Sequence, residues 1–178
     1  MASELKNLST YSEKGIITKK ELKKHIFPHG KLGSTKIGIV VSEWNEQVTS
    51  NLATGAVNTL KKYGFDDNDI ILQTVPGSFE LPLAAKYMII NYGVEAVICL
   101  GCVIQGETKH FDFVCQGVTQ GIMQLNLSSE KPIAFGLLTT NNLQQALERA
   151  GGRLGNKGDE AAVAVLKMLN LKIGEKSE

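Results

Sequence analysis

The feature that most constrains this chain is an alternation that starts at Thr35 and repeats to the C-terminal region. Short apolar runs of strand length take turns with longer segments whose apolar residues recur every three to four positions. Lys36-Ile37-Gly38-Ile39-Val40-Val41 reads as a buried strand. Val48, Leu52, Ala53, Ala56, Val57 and Leu60 then line one face of a helix that Gly64 ends. Asp69 to Val75 is a second strand, followed by a Pro76-Gly77 turn and a helix from Glu80 to Tyr92 that stops at Gly93. Ala96 to Leu100 is the third and most apolar strand. A loop from Val103 to Lys109 leads from it into a helix over about Phe111 to Leu127. Ile133 to Leu138 is the fourth strand. A helix beginning at Asn141 breaks at Gly151-Gly152, and a last helix carries Val163, Leu166 and Leu169.

Four strands alternating with helices predict an α/β fold: a flavodoxin-like three-layer sandwich, a four-stranded parallel sheet flanked by helices. In such sheets ligands bind beyond the carboxyl ends of the strands. The functional residues are therefore expected at Ser42–Asn45, Val75–Glu80, Gly101–His110 and Thr139–Asn142. Length fits one domain with a core that needs neither disulfide nor metal: the chain has 178 residues and three cysteines. The longest apolar run, Ala96 to Ile104, is far too short to span a membrane. The opening MASELKNLSTYSEKG lacks the apolar stretch of a signal peptide. A cytoplasmic protein, with no nucleic-acid or membrane partner, is expected. Charge is uneven: residues 1–36 hold eight lysines and three glutamates against an overall formal charge of +1. Residues 1–33 read as a basic N-terminal extension, partly ordered at best, before a single domain over 34–178.

Several residues at the expected places bear chemistry. Gly101-Cys102-Val103-Ile104-Gln105-Gly106-Glu107-Thr108-Lys109-His110 looks like a tight glycine-framed turn before a helix start, a natural anion site with Thr108 as an added donor. His110, the one histidine after residue 33, is either a structural residue at the helix start or a proton-transfer group. Trp44, the sole tryptophan, is either a stacking ring or a packing anchor. Ser78 reads as a helix cap with Glu80 in the first turn. Arg149 suits either the last carbonyls of its helix or a phosphate. Cys99 and Cys102 have redox spacing, but an offset of three aims them at opposite faces of a strand. Gly151 to Gly158 lacks the phosphate-loop order of residues, and no histidine or cysteine cluster has metal-ligand spacing.

The wording of these segments carries a resemblance. Asn45, Gly55-Ala56, Val75-Pro76-Gly77-Ser78-Phe79-Glu80-Leu81-Pro82, Gly101 to Phe113, Phe135-Gly136-Leu137-Leu138-Thr139-Thr140-Asn141-Asn142, Glu148-Arg149-Ala150-Gly151 and Gly155-Asn156-Lys157-Gly158 closely resemble the lumazine synthase family of riboflavin biosynthesis. The likeness runs from about Lys36 to Leu169. It implies a transferase that condenses 5-amino-6-(D-ribitylamino)uracil with 3,4-dihydroxy-2-butanone 4-phosphate to 6,7-dimethyl-8-ribityllumazine, releasing phosphate and water, with no cofactor and no metal. It further implies that Trp44, Ser78, Phe79, Glu80, Cys102, Val103, Ile104 and Phe135 hold the ribitylaminouracil. Glu107, Thr108 and Arg149 would hold the butanone phosphate, and His110 would transfer protons. Sites in this family lie between subunits, so Phe135 and Arg149 would come from a neighbour in a pentamer. The compact stretch Arg149 to Gly158 favours pentamers closed into an icosahedral shell of sixty chains, with riboflavin synthase a candidate for enclosure. Two positions depart from the family: Gln105 replaces a common Arg or Lys, and Trp44 a common Phe. The rival expectations are a non-catalytic flavin-binding carrier and a purely structural shell protein.

Overall fold

The computed structural model describes residue 16, residues 18–20 and residues 35–173; most of the basic extension lies outside the described residues. Four strands form one sheet: β1 (Ile37–Ser42), β2 (Ile70–Val75), β3 (Ala96–Ile104) and β4 (Ile133–Thr140). Their order is β2-β1-β3-β4 and every pairing is parallel. The helices are α1 (Glu46–Lys62), α2 (Leu81–Tyr92), α3 (His110–Ser129), α4 (Leu143–Glu148) and α5 (Lys157–Ile173). One face of the sheet, through Ile37, Ile39, Ile98 and Leu100, packs on α1 and α5 through Leu52, Leu60, Leu166 and Leu169. The other face, through Val40, Val97 and Cys99, packs on α2 and α3 through Leu81, Met88, Val118 and Ile122. Because both faces are covered, β1 is buried at all six positions, and this is why it reads as an unbroken apolar run.

The expected three-layer α/β fold is therefore the one observed, with differences at element ends. β3 runs to Ile104 and pairs with β4 as far as Ile104↔Thr140, so the predicted loop from Val103 shrinks to residues 105–109. Gly101 consequently lies inside a strand and frames no turn. Its missing side chain makes room: a Cβ there would stand 2.7 Å from Ser78 Oγ and 2.8 Å from Leu137 Cδ1. The helix expected from Glu80 is preceded by one 3₁₀ turn, Ser78–Glu80, and Ser78 does not cap it. The helix expected from Asn141 to Gly151 covers only Leu143–Glu148. Asn142 caps it by accepting a hydrogen bond from Gln145 N at 2.9 Å. An antiparallel hairpin then follows, β5 (Ala150–Gly152) with β6 (Gly155–Asn156), which the sequence pattern had not revealed.

The close approach of α1 and α5 depends on two glycines. A Cβ on Gly158 would sit 1.9 Å from the Leu52 carbonyl oxygen, and one on Gly55 2.5 Å from Asn156 Nδ2. Asn156 ties this junction by donating to Asn51 O at 2.9 Å and accepting from Gly158 N at 2.8 Å. The Gly155-Asn156-Lys157-Gly158 segment is thus explained by helix packing.

Candidate active site

The order β2-β1-β3-β4 places a topological switch between β1 and β3, since the chain leaves β1 toward one edge and later returns on its other side. The carboxyl ends of both strands open there into a cleft of about 700 Å³. It is lined by Trp44, Asn45, Gly77, Ser78, Phe79, Glu80, Cys102, Val103, Ile104, His110, Phe113 and Val114. Three of the four expected segments contribute to it.

Asn45 holds the first wall. It sits in the left-handed region (φ 60°), which asparagine tolerates better than most residues, and donates from Nδ2 to Cys102 O at 2.9 Å. That bond spans the switch point and fixes the Trp44 loop against the end of β3. Trp44 is 73% exposed, and Phe79 and Phe113 are exposed as well. Three rings that face a cleft and lack burial offer flat apolar surface for a flat ligand. Gly77 leaves space for both neighbours: a Cβ there would lie 3.0 Å from Glu80 Oε2 and 3.6 Å from Trp44 Cδ1. Ser78 is buried at the base of the cleft and donates to Ser42 Oγ at 3.4 Å, linking the second wall to β1.

The third wall is the start of α3. His110 is its first residue and is exposed to the cleft mouth. Its backbone N–H donates to Thr108 Oγ1 at 3.4 Å. The opening N–H groups of this 20-residue helix leave a positive pole beside the imidazole, suited to an anion. Glu107 and Thr108 are exposed on the loop just before the helix and do not line the cleft itself. Cys102 does line it, but burial pushes its thiol up to about 11, and that of Cys99 to about 12, so both stay protonated near neutrality. Cys99 belongs to the α2/α3 face and Cys102 to the α1/α5 face, as the offset of three requires.

Two expected site residues lie elsewhere. Phe135 is a half-exposed residue of β4 paired with Cys99, outside the cleft. Arg149 lines a separate hollow of about 590 Å³ with Thr140, Gln145, Glu148 and Lys157. Its side chain is exposed and forms no ion pair or hydrogen bond among the described residues, so the helix-end role for its guanidinium is not taken up. Asn45, Phe113, Val114 and Lys157 were not singled out as site residues from sequence. Phe113 and Val114 sit three and four residues beyond His110, a spacing that puts them on its helix face and could have flagged them.

A parallel sheet covered on both faces, opening at its switch point into an aromatic-walled cleft beside an imidazole and a helix N-terminus, defines an α/β enzyme domain for a flat polar ligand. Comparison with known proteins narrows this class. The family model for 6,7-dimethyl-8-ribityllumazine synthase matches residues 34–173. A protein of that name from Phocaeicola vulgatus is 57% identical over 137 residues, covering 77% of this chain and 82% of the relative. One from Cytophaga hutchinsonii is 52% identical over 169 residues, 95% of this chain and 98% of the relative. One from Porphyromonas gingivalis is 47% identical over 172 residues, 97% and 99%. The chain belongs to the 6,7-dimethyl-8-ribityllumazine synthase family.

Proposed function

We infer that this chain condenses 5-amino-6-(D-ribitylamino)uracil with 3,4-dihydroxy-2-butanone 4-phosphate, forming 6,7-dimethyl-8-ribityllumazine and releasing phosphate and water. It acts as a transferase in riboflavin biosynthesis. The observation that carries this is the family membership of a chain whose switch-point cleft gathers Trp44, Ser78, Phe79, Glu80, Cys102, Val103, Ile104 and His110.

In this reading the pyrimidine stacks on Trp44, while Ser78, Phe79 and Glu80 hold its edge and the ribityl chain. The main chain of Cys102, Val103 and Ile104 borders the ring. The amine attacks the ketone, and the resulting carbinolamine loses water to give an imine. Each step moves a proton at the reacting nitrogen or oxygen, and His110 at the cleft mouth is placed to take and return it. Loss of the proton on the carbon between the imine and the phosphate-bearing carbon supplies the electrons for a new C=C bond as phosphate leaves with the C–O pair. The resulting enol becomes a ketone, and the ribitylamino nitrogen closes on it with loss of a second water. Thr108, the N–H of Glu107 and the α3 N-terminus supply donors to the departing charge. Arg149, with Lys157 beside it, supplies an exposed guanidinium in a different hollow of the same subunit. A complete site then takes the cleft of one chain and the Phe135–Arg149 side of a neighbour. Pentamers follow, and the short Arg149–Gly158 hairpin suits their closure into sixty-chain shells; sedimentation distinguishes the two.

The test mixes purified protein with both substrates and follows lumazine absorbance. Product formation supports the condensation. A correctly folded protein that makes none, yet binds a flavin, would move the reading to a carrier.

A further inference from the structure

Glycine inside a helix is disfavoured relative to alanine, so a helix that keeps one at a packed position has a steric use for it. Helix α3 carries Gly117 and Gly121 on the face that also bears His110, Phe113 and Val114, at spacings of three and four. A Cβ on Gly117 would lie 2.7 Å from Phe79 Cε2 and 3.4 Å from its Cδ2. One turn on, a Cβ on Gly121 would lie 2.8 Å from Pro82 Cβ and Cγ. The Phe79 ring therefore rests directly on the bare backbone of α3. The 3₁₀ turn that supplies Ser78, Phe79 and Glu80 to the cleft meets the helix that supplies His110 at this contact.

We propose that Gly117 is a positioning residue for recognition of the amine substrate: its missing side chain seats the Phe79 ring against α3 and so sets the width of the cleft between the Ser78–Glu80 wall and the His110 wall. This rests on the reading of the cleft as the site of the ribitylaminouracil. A methyl group at Gly117 pushes the ring's far edge off the helix and into the cleft, where it competes with the pyrimidine. Binding of that substrate is lost first. The anion donors near Thr108 and the imidazole of His110 lie at the other end of the helix face, seven residues back, and keep their geometry.

The experiment measures steady-state kinetics for both substrates in wild type, Gly117→Ala, Phe79→Leu and the pair of substitutions together. Leucine lacks the ring atom nearest Gly117, so it relieves the collision. Gly117→Ala is expected to raise KM for 5-amino-6-(D-ribitylamino)uracil about tenfold, with kcat and the KM for butanone phosphate within about twofold of wild type. The pair is expected to match Phe79→Leu alone, because leucine removes the ring atom at 2.7 Å and leaves at most ordinary contact near the 3.4 Å of the ring's Cδ2. A merely structural glycine gives a different pattern: lower thermal stability with unchanged KM, and that result overturns the proposal. A pair with a several-fold higher KM than Phe79→Leu overturns it too, since the methyl would then act by another route. Should Gly117→Ala alone not fold, this comparison of the pair with Phe79→Leu decides by itself. The two readings separate cleanly. If Phe79→Leu leaves the uracil KM unchanged, the cleft is not the amine's site and both fall; if it raises KM while Gly117→Ala does not, only the role of Gly117 falls.

Discussion

At the scale of single residues, the proposed reading divides the site's labour between polar groups that react and packing groups that aim them. His110 has no intrachain partner for its ring among the hydrogen bonds and ion pairs described, which leaves both ring nitrogens free for substrate. We expect His110→Ala to lower kcat by roughly 10²- to 10⁴-fold while circular dichroism and assembly stay those of wild type. An unchanged rate would remove His110 from the mechanism. Arg149→Ala is expected to raise KM for the butanone phosphate by about tenfold or more, with little change for the uracil; normal constants for the phosphate substrate would contradict its role. Trp44, the sole tryptophan, and His110, the one histidine after residue 33, stood out in the sequence because each follows a strand and is rare in type. Ser78 was misread as a cap. Its hydroxyl is buried against Ser42, and nothing local in Pro76-Gly77-Ser78 announces a partner 36 residues away.

At the scale of elements, the alternation of apolar runs and helical periods was enough to place all four sheet strands and to predict the strand ends at which the cleft opens. It failed where pattern and structure part company. β3 and β4 continue past the sheet's covered centre to Ile104 and Thr140, where Gly101 and Thr139-Thr140 interrupt the apolar run although the ladder persists. The β5–β6 hairpin is three residues against two and built of Ala, Gly and Asn, too short for any period to register. The α1–α5 junction is a further case, since only the structure shows which glycines are load points. Gly158→Ala places a methyl on the Leu52 carbonyl. We expect a loss of roughly 3 kcal/mol, seen as a fall of about 6–12 °C in Tm. Gly106→Ala, whose Cβ meets nothing within 4 Å, is the control and should leave Tm within about 1 °C. Equal melting of the two variants would mean that α1 and α5 have slack.

At the scale of the whole molecule, the basic extension is not simply a tail. Lys19 is buried and its ammonium bonds both Asp69 and Asp66, the latter at 3.0 Å, while its N–H donates to Tyr63 O at 3.0 Å and Ile16 packs on the α1/α5 core. The sequence gives no hint of this latch, whose partners are some fifty positions away. Burial alone would lower the Lys19 pKa, but the bonds to Asp69 and Asp66 outweigh it and leave the value raised. Lys19 in turn holds the Asp66 carboxyl below its usual range. A raised lysine adds stability that is present below its unfolded value, about 10.4, and lost as pH climbs through the folded one. A lowered carboxylate adds stability that is present above about 3.9 and lost as pH falls through its folded value. Lys19→Met should therefore melt earlier than wild type at neutral pH, with the gap closing in both strong acid and strong alkali. A gap independent of pH would mean that the latch holds by packing alone.

The separation of His110 and Arg149 into two hollows of one chain has a genetic corollary. In the shared site proposed above, each defect harms a different half, so a chain lacking the imidazole can still lend its guanidinium to the next. At limiting butanone phosphate, where both variants are slow, the two should complement when their products are unfolded together and reassembled. Random mixing in equal amounts restores about one intact junction in four, and with it about a quarter of wild-type turnover.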